Sequence, residues 1–322
     1  MATFLVTGGC GFIGSHLCAG LAAQGHGIRV LDDLSTGSEA NLVPGAELLR
    51  GNVADPDAVR DAMAGADGCF HLAAIASVER GVRDWLATHR TNLSGTVAVL
   101  EAARPRGAGG VGPAGGTPVV YASSAAVYGD CAALPLDEDA PTRPLSAYGA
   151  DKLGCELHAR VAGAVHGIPT LGLRFFNVFG PRQDPRSPYS GVISIFCDRL
   201  SRGERVDVFG DGGQTRDFVF VGDVVAALVA ALPAASSTAP VLNVCTGRST
   251  SVLELAAAVA GLSGRGLDLR HQPARSGEIR HSLGSPERAR RILGLGPPLG
   301  LSEGLASVLS WMRSKAAGSA GG

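Results

Sequence analysis

The feature that most constrains the fold is a glycine-rich stretch near the N-terminus, Thr3 to Gly14, with the sequence TFLVTGGCGFIG. The apolar run Phe4 to Val6 is typical of a buried strand, and the stretch Phe12 to Leu21 is typical of a helix. Glycine has no Cβ, so the backbone between them can turn tightly and approach a ligand closely. The helix directs its free N–H groups and the positive end of its dipole at that turn. Strand, glycine turn and helix together therefore predict a site for a diphosphate.

A second apolar run, Ile28 to Leu31, ends in Asp32, about 20 residues beyond the glycine turn. A carboxylate in that place can accept hydrogen bonds from the ribose hydroxyls of a dinucleotide. It would repel the 2′-phosphate of NADP, so the sequence predicts NAD as the cofactor. Arg29 is the nearby cation that could favour NADP, but in the middle of a strand we expect it to be an exposed side chain. An ordinary glycine-rich turn without a nucleotide is the alternative, and the surrounding strand and helix disfavour it.

Composition excludes several classes of protein. The net charge of −1 provides no basic surface for nucleic acid. The seven cysteines are odd in number and none forms a Cys-x-x-Cys pair, so we expect reduced thiols, no disulfide framework and no metal site. Residues 1–28 lack charged side chains, but glycines interrupt the run and no basic segment precedes it, which argues against a signal peptide or membrane helix. We therefore expect a cytoplasmic protein that binds neither nucleic acid nor membrane.

Beyond residue 32 the chain alternates apolar strands with helices as far as Phe176. This pattern predicts an α/β protein with a Rossmann-type, doubly wound parallel sheet covered by helices on both faces. One long helix is expected from Arg80 to Arg104, with a kink near Asn92, and a Gly/Pro-rich loop from Pro105 to Pro118. The predicted divisions are an NAD-binding domain at 1–176, a smaller α/β substrate region at 177–315 that can interleave with it, and a disordered tail at 316–322.

Two segments carry the side chains that we expect to do chemistry. The first is the loop Ser123 to Gly129, which follows a strand, and open α/β sheets bind ligands at the carboxyl ends of strands. The second contains Tyr148 and Lys152, which lie one helical turn apart and project from the same face of a helix. The lysine ammonium favours the tyrosine phenolate, and Ser124 can hydrogen-bond the same substrate hydroxyl. This set predicts proton transfer to and from an alcohol.

With the glycine turn and Asp32, these segments make the chain resemble the extended short-chain dehydrogenase/reductases, and among them the UDP-hexose 4-epimerases. The resemblance extends over about residues 2–315. The motifs that carry it are TGGxGFIGSH from Thr7, HLAA from His71, SSAAVYG from Ser123, YxxxK from Tyr148, RFFNVFGPR from Arg174, GDGGQTRDFV from Gly210 and RSGEIRHS from Arg275. The motif histidines His16, His71 and His281 are expected to pack or support, not to catalyse.

The resemblance implies a role for each matching residue. Tyr148 is expected to act as base and acid, with Lys152 tuning it and holding the nicotinamide ribose, and with Ser124 assisting. The expected NAD-binding residues are Gly8, Gly11, Phe12, Ile13, Gly14, Asp32, Asn52, Val53, Leu72, Ala73, Ala74, Asn92, Tyr148 and Lys152. The expected substrate-binding residues are Ser124, Asn177, Gly191, Val192, Arg216, Arg275 and Ser282, of which the two arginines clamp the nucleotide diphosphate. Asn52 departs from the family, which usually has Asp at this edge of the adenine, but its side-chain carbonyl can still accept a hydrogen bond.

The implied reaction is an NAD-dependent 4-epimerisation. Tyr148 removes the proton of the sugar 4-OH, the C4 hydride passes to NAD⁺, and the 4-keto sugar rotates about its diphosphate before hydride returns to the other face. A 4,6-dehydratase or a decarboxylase of the same superfamily is the nearest alternative, but such enzymes carry acids where Ala125 and Ala126 stand. A non-catalytic NAD sensor is the alternative of another class, and the complete set of Ser124, Tyr148 and Lys152 disfavours it.

The resemblance also bears on assembly and substrate range. It implies a homodimer formed through the helices near Arg80–Arg104 and Ser146–His166. In the family, the position seven residues beyond the Arg of the Arg-x-Gly-acid motif walls the sugar pocket, and here that position is Ser282. Ser282 and Gly191 are both small, so the pocket is expected to admit an N-acetyl group at C2 of the sugar. The sequence leaves open the sugar, and also whether the nucleotide is UDP, dTDP or CDP.

Overall fold

The computed structural model describes residues 1–76, 81, 83–105, 115–185, 191–274 and 279–319 of the chain. The strands are β1 (Thr3–Thr7), β2 (Gly27–Asp32), β3 (Glu47–Arg50), β4 (Gly68–His71), β5 (Val119–Ser124), β6 (Thr170–Phe175), β7 (Asn177–Phe179), β8 (Val206–Phe209), β9 (Thr215–Arg216), β10 (Phe218–Phe220), β11 (Val241–Val244), β12 (Thr250–Ser251) and β13 (Leu269–Gln272). The α-helices are α1 (Phe12–Ala23), α2 (Pro56–Met63), α3 (Trp85–His89), α4 (Gly95–Ala102), α5 (Ala147–His166), α6 (Val192–Ser201), α7 (Val221–Ala234), α8 (Val252–Ser263), α9 (Glu287–Leu293) and α10 (Leu301–Ser319).

Seven of these strands form one parallel sheet in the order β11-β6-β5-β4-β1-β2-β3. Its inner strands are largely buried, as in β1, where neither Leu5 nor Val6 has exposed surface, whereas the edge strand β3 is not. The order runs outward in opposite directions from β1 and β4, and open α/β sheets bind ligands outside the carboxyl ends of the strands at such a point. The predicted Rossmann-type, doubly wound sheet is therefore confirmed.

Local sequence signals set the bounds of two helices, α5 and α8. Ser146 caps α5, its Oγ accepting a hydrogen bond from the Gly149 N–H at 3.1 Å, and Gly167 ends α5 in the left-handed conformation with φ of 68°. Ser251 and Glu254 form a reciprocal capping box at the start of α8. Each cap satisfies backbone groups that the helix itself leaves unpaired.

The helix expected from Arg80 to Arg104 is less regular than predicted. Asp84 caps α3 by accepting from the Ala87 N–H, and a π-helical turn, Arg90–Ser94, joins α3 to α4. This turn contains Asn92, where the kink is predicted. Residue 80 and most of the predicted loop at 105–118 lie outside the described residues.

The last helix runs further than the sequence suggests. α10 continues to Ser319, past the point at residue 316 where a disordered tail is expected, and residues 320–322 lie outside the described residues. Nowhere in the described part of the chain does a helix combine the length and apolarity needed to cross a bilayer.

Residues beyond 176 contribute to two hydrophobic cores. β11 pairs with β6 at the edge of the main sheet, and α7 packs against α1. A second core, which includes Phe196, Leu255 and Leu305, lies between α6, α8 and α10. The later part of the chain thus completes the first sheet and also forms a core of its own, and the division at residue 176 stays a prediction.

Candidate active site

The glycine turn between β1 and α1 is shaped so that a ligand meets backbone rather than side chains. Gly8 has a left-handed φ of 73°, and a Cβ there would lie 2.8 Å from the backbone nitrogen of Ala73. A Cβ at Gly14 would lie 2.8 Å from the Cα of Gly9. The N-cap of α1 is Gly11, so no side chain occupies the N–H groups of the first turn. These N–H groups and the helix dipole favour an anion such as a diphosphate.

Asp32 ends β2 at the side of this turn. Its carboxylate is 8% exposed and accepts hydrogen bonds from the N–H groups of Cys10 at 2.9 Å and Leu34 at 2.8 Å. Burial raises the pKa of Asp32, and the two backbone hydrogen bonds partly offset that effect. Asp32 lines the cleft, and its oxygens keep lone pairs for the ribose hydroxyls that the sequence predicts there.

Arg29, the cation that could favour NADP, is engaged elsewhere. It pairs with Glu47 at 2.7 Å and donates to the carbonyls of Ala62 at 3.0 Å and Ala64 at 2.6 Å. Its side chain is 20% exposed, so the prediction of an exposed side chain is wrong, because β3 and the end of α2 cover it. Its guanidinium is committed to protein groups rather than to a 2′-phosphate.

Asn52 lies against a neighbouring carboxylate. Its Nδ2 donates to Asp33 at 3.0 Å, and its Oδ1 accepts from the Ala54 N–H at 2.8 Å. An aspartate at position 52 would place a second negative charge beside Asp33, whereas the amide donates to it. Asn52 also lines the cleft, and its carbonyl keeps a lone pair for the predicted adenine contact, which stays a prediction.

The loop after β4 forms the facing wall of the turn. Thr7 Oγ1 accepts from the N–H groups of Leu72 and Ala73, each at 3.2 Å. Asn92 is fully buried and holds both backbone groups of Ile75, accepting from the N–H at 2.8 Å and donating to the carbonyl at 3.2 Å. It is not among the described residues that line the cleft. Asn92 thus positions the loop that forms this wall, and its predicted contact with the cofactor stays a prediction.

His71 supports the same loop through hydrogen bonds with two threonine hydroxyls. Its Nδ1 is 2.8 Å from Thr7 Oγ1, and its Nε2 is 3.0 Å from Thr96 Oγ1. Because the Thr7 hydroxyl already accepts from two N–H groups, we assign it as the donor to Nδ1, which places the imidazole proton on Nε2. Burial, and to a lesser extent the charge of Lys152, lower the pKa of His71 to about 3. The ring is therefore neutral and has no free nitrogen for catalysis.

Ser124, Tyr148 and Lys152 come together at the carboxyl end of β5, and all three line the cleft. Lys152 is 3% exposed and donates to the Ala122 carbonyl at 2.8 Å, and its Nζ lies 5.9 Å from the centre of the Tyr148 ring. Ser124 Oγ accepts from the Ala126 N–H at 3.1 Å at the start of a short 3₁₀ turn. The ammonium and the phenol therefore lie side by side in the cleft, where the hydroxyl of Tyr148 can exchange a proton with an alcohol.

A buried ion pair supports this wall, and the sequence does not reveal it. Arg174 donates from Nε and Nη2 to the two carboxylate oxygens of Glu156 at 2.8 and 2.7 Å. Ser123 Oγ donates to Glu156 at 2.6 Å, and Arg174 Nη1 donates to the Tyr128 hydroxyl at 2.8 Å. The two-point pairing links β5, β6 and α5. Arg174 and Tyr128 lie in motifs, but Glu156 stands outside them, so spacing alone could not identify the pair.

Two of the predicted substrate residues lie on the far side of the catalytic group. Asn177 and Gly191 both line the cleft. A Cβ at Gly191 would lie 3.5 Å from Gln183 Nε2, which is ordinary contact distance. Gln183 also lines the cleft, and its buried Oε1 has no hydrogen-bond partner within the described residues. Sequence reasoning did not single out Gln183, although it follows the RFFNVFGPR motif directly.

The remaining predicted substrate-binding residues are not among the described residues that line the cleft. Ser282 donates its N–H to the Thr215 carbonyl at 3.1 Å, and Arg216 Nη1 donates to the same carbonyl at 2.8 Å. Val192 is the first residue of α6. None of Val192, Arg216 and Ser282 is among the described residues that line the cleft, and Arg275 lies outside the described residues. Their contacts with a substrate stay predictions.

Asp217 is a buried carboxylate whose partners the sequence could not indicate. It has no exposed surface and accepts from the N–H and hydroxyl of Thr246 at 2.8 and 2.7 Å and from the Gly247 N–H at 2.9 Å. Burial raises the pKa of Asp217, and these hydrogen bonds partly offset that effect. Asp217 thereby ties the segment that carries Arg216 to the loop after β11.

These walls border one cleft of about 650 Å³. The predicted residues that line it are Gly8, Gly11, Phe12, Ile13, Gly14, Asp32, Asn52, Val53, Leu72, Ala73, Ala74, Ser124, Tyr148, Lys152, Asn177 and Gly191. A dinucleotide cofactor fits these residues, because the free N–H groups at the start of α1 can hold its diphosphate and the Asp32 carboxylate can accept from a ribose. The same cleft carries the Tyr148–Lys152 pair, so bound cofactor and proton-transfer groups would share one space.

Comparison with known proteins places the chain beside nucleotide-sugar enzymes. The sequence profile of the "NAD dependent epimerase/dehydratase family" matches residues 4–245. The chain is 40% identical to the UDP-glucose 4-epimerase of Mycolicibacterium smegmatis, over 97% of this chain and 98% of that protein.

Two solved structures show the same likeness in three dimensions. The UDP-glucose 4-epimerase of Thermotoga maritima, solved with UDP-glucose, has a TM-score of 0.91 at 33% identity and covers 98% of this chain and 99% of its own. The UDP-N-acetylglucosamine 4-epimerase of Methanobrevibacter ruminantium, solved with UDP-N-acetylmuramic acid, has a TM-score of 0.89 at 31% identity, with the same coverage of 98% and 99%.

Proposed function

The chain belongs to the NAD dependent epimerase/dehydratase family, and on that premise we propose that it is a UDP-sugar 4-epimerase that uses NAD. The observation that carries the proposal is that Ser124, Tyr148 and Lys152 line the same cleft as the glycine turn and Asp32. The 4-epimerase names of a relative at 40% identity and of two structural neighbours support it. Such an enzyme inverts C4 of the sugar and regenerates its cofactor, so the net reaction is an isomerisation.

Each side chain of the catalytic group has a task in this reaction. When bound, NAD accepts a hydride from C4 of the sugar and returns it. Tyr148 takes the proton of the 4-OH and later gives it back, so it acts first as base and then as acid. Lys152, held by the Ala122 carbonyl, stabilises the phenolate with its charge, and Ser124 orients the 4-OH towards it.

Inversion requires the protein to hold one end of the substrate while the sugar turns. We assign the diphosphate to Arg216 and Arg275, and the sugar to Asn177 and Val192, because these positions match the family motifs. Guanidinium groups bind diphosphates with two parallel hydrogen bonds, which keeps the nucleotide in place. The enzyme must retain the 4-keto sugar, because its release would leave the enzyme with a reduced cofactor.

Ala125 and Ala126 separate this function from its nearest alternatives. They form the 3₁₀ turn that follows Ser124. A methyl group can neither protonate a leaving hydroxyl nor polarise a carboxylate, so 4,6-dehydration and decarboxylation lack the acid that we expect for them at this loop. A non-catalytic NAD sensor would have no need for a buried lysine placed beside a tyrosine in the cleft.

Gly191 supports a substrate range that includes N-acetylated sugars. Space for a Cβ exists at Gly191, and Gln183 beside it can donate or accept a hydrogen bond. Ser282 lies next to β9, away from the described wall of the cleft, so Gly191 carries more of this argument than Ser282. We expect UDP-N-acetylglucosamine and UDP-N-acetylgalactosamine to interconvert at least as fast as the plain hexoses. Turnover of UDP-galactose without turnover of UDP-N-acetylgalactosamine would contradict this substrate range.

Exposed apolar side chains on α3 and α5 suit a second copy of the chain. Leu157, Val161 and Val165 recur at one-turn spacing on α5, and each is more than half exposed, as are Trp85 and Leu86 at the start of α3. Apolar patches of this kind mark interaction surfaces. We therefore propose a homodimer through these helices. Light scattering at micromolar concentration should show a dimer for wild type and a monomer for Val161→Lys.

One product assay tests the proposed function. Purified protein is incubated with a panel of UDP-, dTDP- and CDP-sugars. The products are separated by chromatography, and their masses are measured by mass spectrometry. We expect pairs of 4-epimers of unchanged mass from UDP-sugars. A product lighter by one water would indicate a dehydratase, and binding of NADH without any product would indicate a sensor.

A further inference from the structure

Arg182 lies in the cleft, although neither its motif nor the family resemblance gives it a role. It follows β7 and lines the cleft together with Phe12 and Gly14 of the first turn of α1. Its Nη1 donates to the Ser15 carbonyl at 3.2 Å, which leaves four of the five guanidinium N–H groups for other partners. Among the described residues that line the cleft, the other cation is Lys152, which lies at the Tyr148 end.

The backbone conformation of Arg182 costs free energy. Its φ of 67° lies in the left-handed region, which a residue with a Cβ rarely adopts. Its guanidinium is held by the Ser15 carbonyl and lines the cleft beside Phe12 and Gly14. An anion in front of this turn would therefore meet the N–H groups of α1 and the guanidinium together. A strained residue that persists at a cleft is a pointer to function.

His16 holds the loop that carries Arg182. Its Nε2 lies 2.9 Å from the Pro181 carbonyl and donates to it. Burial lowers the pKa of His16, and the charge of Arg182 contributes to the lowering, so the ring is neutral near pH 7 and adds no competing cation. Residues 181 and 182 are thus tied to α1 twice, once through His16 and once through the guanidinium itself.

We propose that Arg182 binds the diphosphate of the NAD cofactor, opposite the N–H groups at the start of α1; this rests on the proposed function for the identity of the cofactor. A diphosphate carries about two negative charges, whereas a helix dipole supplies about half a positive charge. A guanidinium supplies a full charge with the planar geometry that phosphate oxygens accept. The diphosphate of the sugar nucleotide has the same chemistry, but the contact with Ser15 places Arg182 at the cofactor turn.

The test uses Arg182→Asn, because asparagine adopts the left-handed conformation more readily than other residues with a Cβ. After removal of bound cofactor, NADH affinity is measured by fluorescence and ADP-ribose and UDP affinities by calorimetry. We expect the variant to bind NADH and ADP-ribose about 10- to 100-fold more weakly, with UDP affinity unchanged. Arg182→Lys should lose less affinity for NADH and ADP-ribose, because lysine keeps the positive charge but lacks the planar guanidinium group. As the matched control, Arg205→Gln removes an exposed arginine that pairs with Asp268 at 3.0 Å, and should bind like wild type.

The outcomes separate this inference from the proposed function. If wild type binds NADH and Arg182→Asn binds NADH and ADP-ribose equally well, the inference is overturned while the proposed function stands. Loss of UDP affinity with unchanged NADH affinity would also overturn it, by assigning Arg182 to the substrate diphosphate. Thermal unfolding of the cofactor-free proteins checks folding, and we expect Arg182→Asn to unfold at the wild-type temperature or above. Failure of the wild type to bind NADH would count against the proposed function instead.

Discussion

The two walls of the cleft are built from different parts of the chain. On the cofactor wall, Gly8 and Gly14 leave no room for a Cβ, and α1 offers backbone N–H groups to the ligand. On the substrate wall, Gln183 offers its side chain, and Gly191 has ordinary space around it. A surface made of backbone tolerates little change, whereas one made of side chains can be altered residue by residue. The first suits a constant cofactor, and the second suits a sugar that differs between relatives.

The largest effect is expected where the two walls meet, at Tyr148. Tyr148→Phe keeps the ring but removes the group that carries the proton, so turnover should fall by about 100-fold or more. The temperature of unfolding should change little, because the ring and its packing are kept. Steady-state kinetics with UDP-galactose measures the loss. Turnover close to wild type would contradict the role of Tyr148.

A pair of glycine substitutions tests the difference between the walls directly. Gly14→Ala places a methyl group against the backbone of Gly9, and overpacking of this kind costs about 1–3 kcal/mol. If that cost falls on the cofactor complex, NADH affinity drops by roughly 10- to 100-fold. Gly191→Ala meets only the end of the Gln183 side chain at 3.5 Å, so it should keep wild-type NADH affinity and alter relative rates among sugars. Equal effects of the two variants on NADH affinity would refute the contrast.

A substitution at Asp217 tests how much its hydrogen bonds contribute to the stability of the fold. Asp217→Asn replaces a buried acceptor with an amide that faces N–H donors, so the free energy of unfolding should fall by about 1–3 kcal/mol. Urea denaturation at neutral pH measures this loss. Full retention of stability would mean that the contacts of Asp217 contribute nothing to the fold.

The same variant has an expected pH dependence. Burial raises the native pKa of Asp217 above the ordinary aspartate value of 3.8, so the native state binds this proton more tightly than the unfolded state. The stability that the carboxyl contributes is therefore fully present below about pH 4 and decreases as the pH rises through the native pKa. The stability advantage of wild type over Asp217→Asn should shrink over that range, and an advantage that grows would reverse the assigned direction.

The smallest effect is expected at Asp32, which meets the cofactor with a side chain on a wall made mostly of backbone. Asp32→Ala removes the charge that repels a 2′-phosphate, so the preference for NADH over NADPH should narrow by about tenfold. Asp268→Ala is the control, because Asp268 is an exposed acid that pairs with Arg205 and is not among the described residues that line the cleft. Dissociation constants from fluorescence titration give the ratio. An unchanged ratio in Asp32→Ala would contradict the predicted ribose contact.

Most of the fold and much of the candidate site could be predicted from the sequence. The strands, the parallel sheet and the helix of Tyr148 and Lys152 depend on apolar runs and on caps such as Ser146 that act within a few residues. Asn92, Arg29 and Glu156 could not be placed in this way. Each is held by residues distant in the sequence, such as Ile75 for Asn92 and Arg174 for Glu156.

The sequence by itself determined the cofactor turn, because strand, glycines and helix follow one another within a short stretch and local backbone preferences suffice to shape it. It also determined that Asp32 ends the next strand. Only the tertiary structure decided which side chains face the cleft: it turns Asn92 inward, places Ser282 beside β9 and brings Arg182 against α1. The physical reason is that a side chain takes its direction from whatever packs against it, and in this chain those partners come from separate elements of the fold.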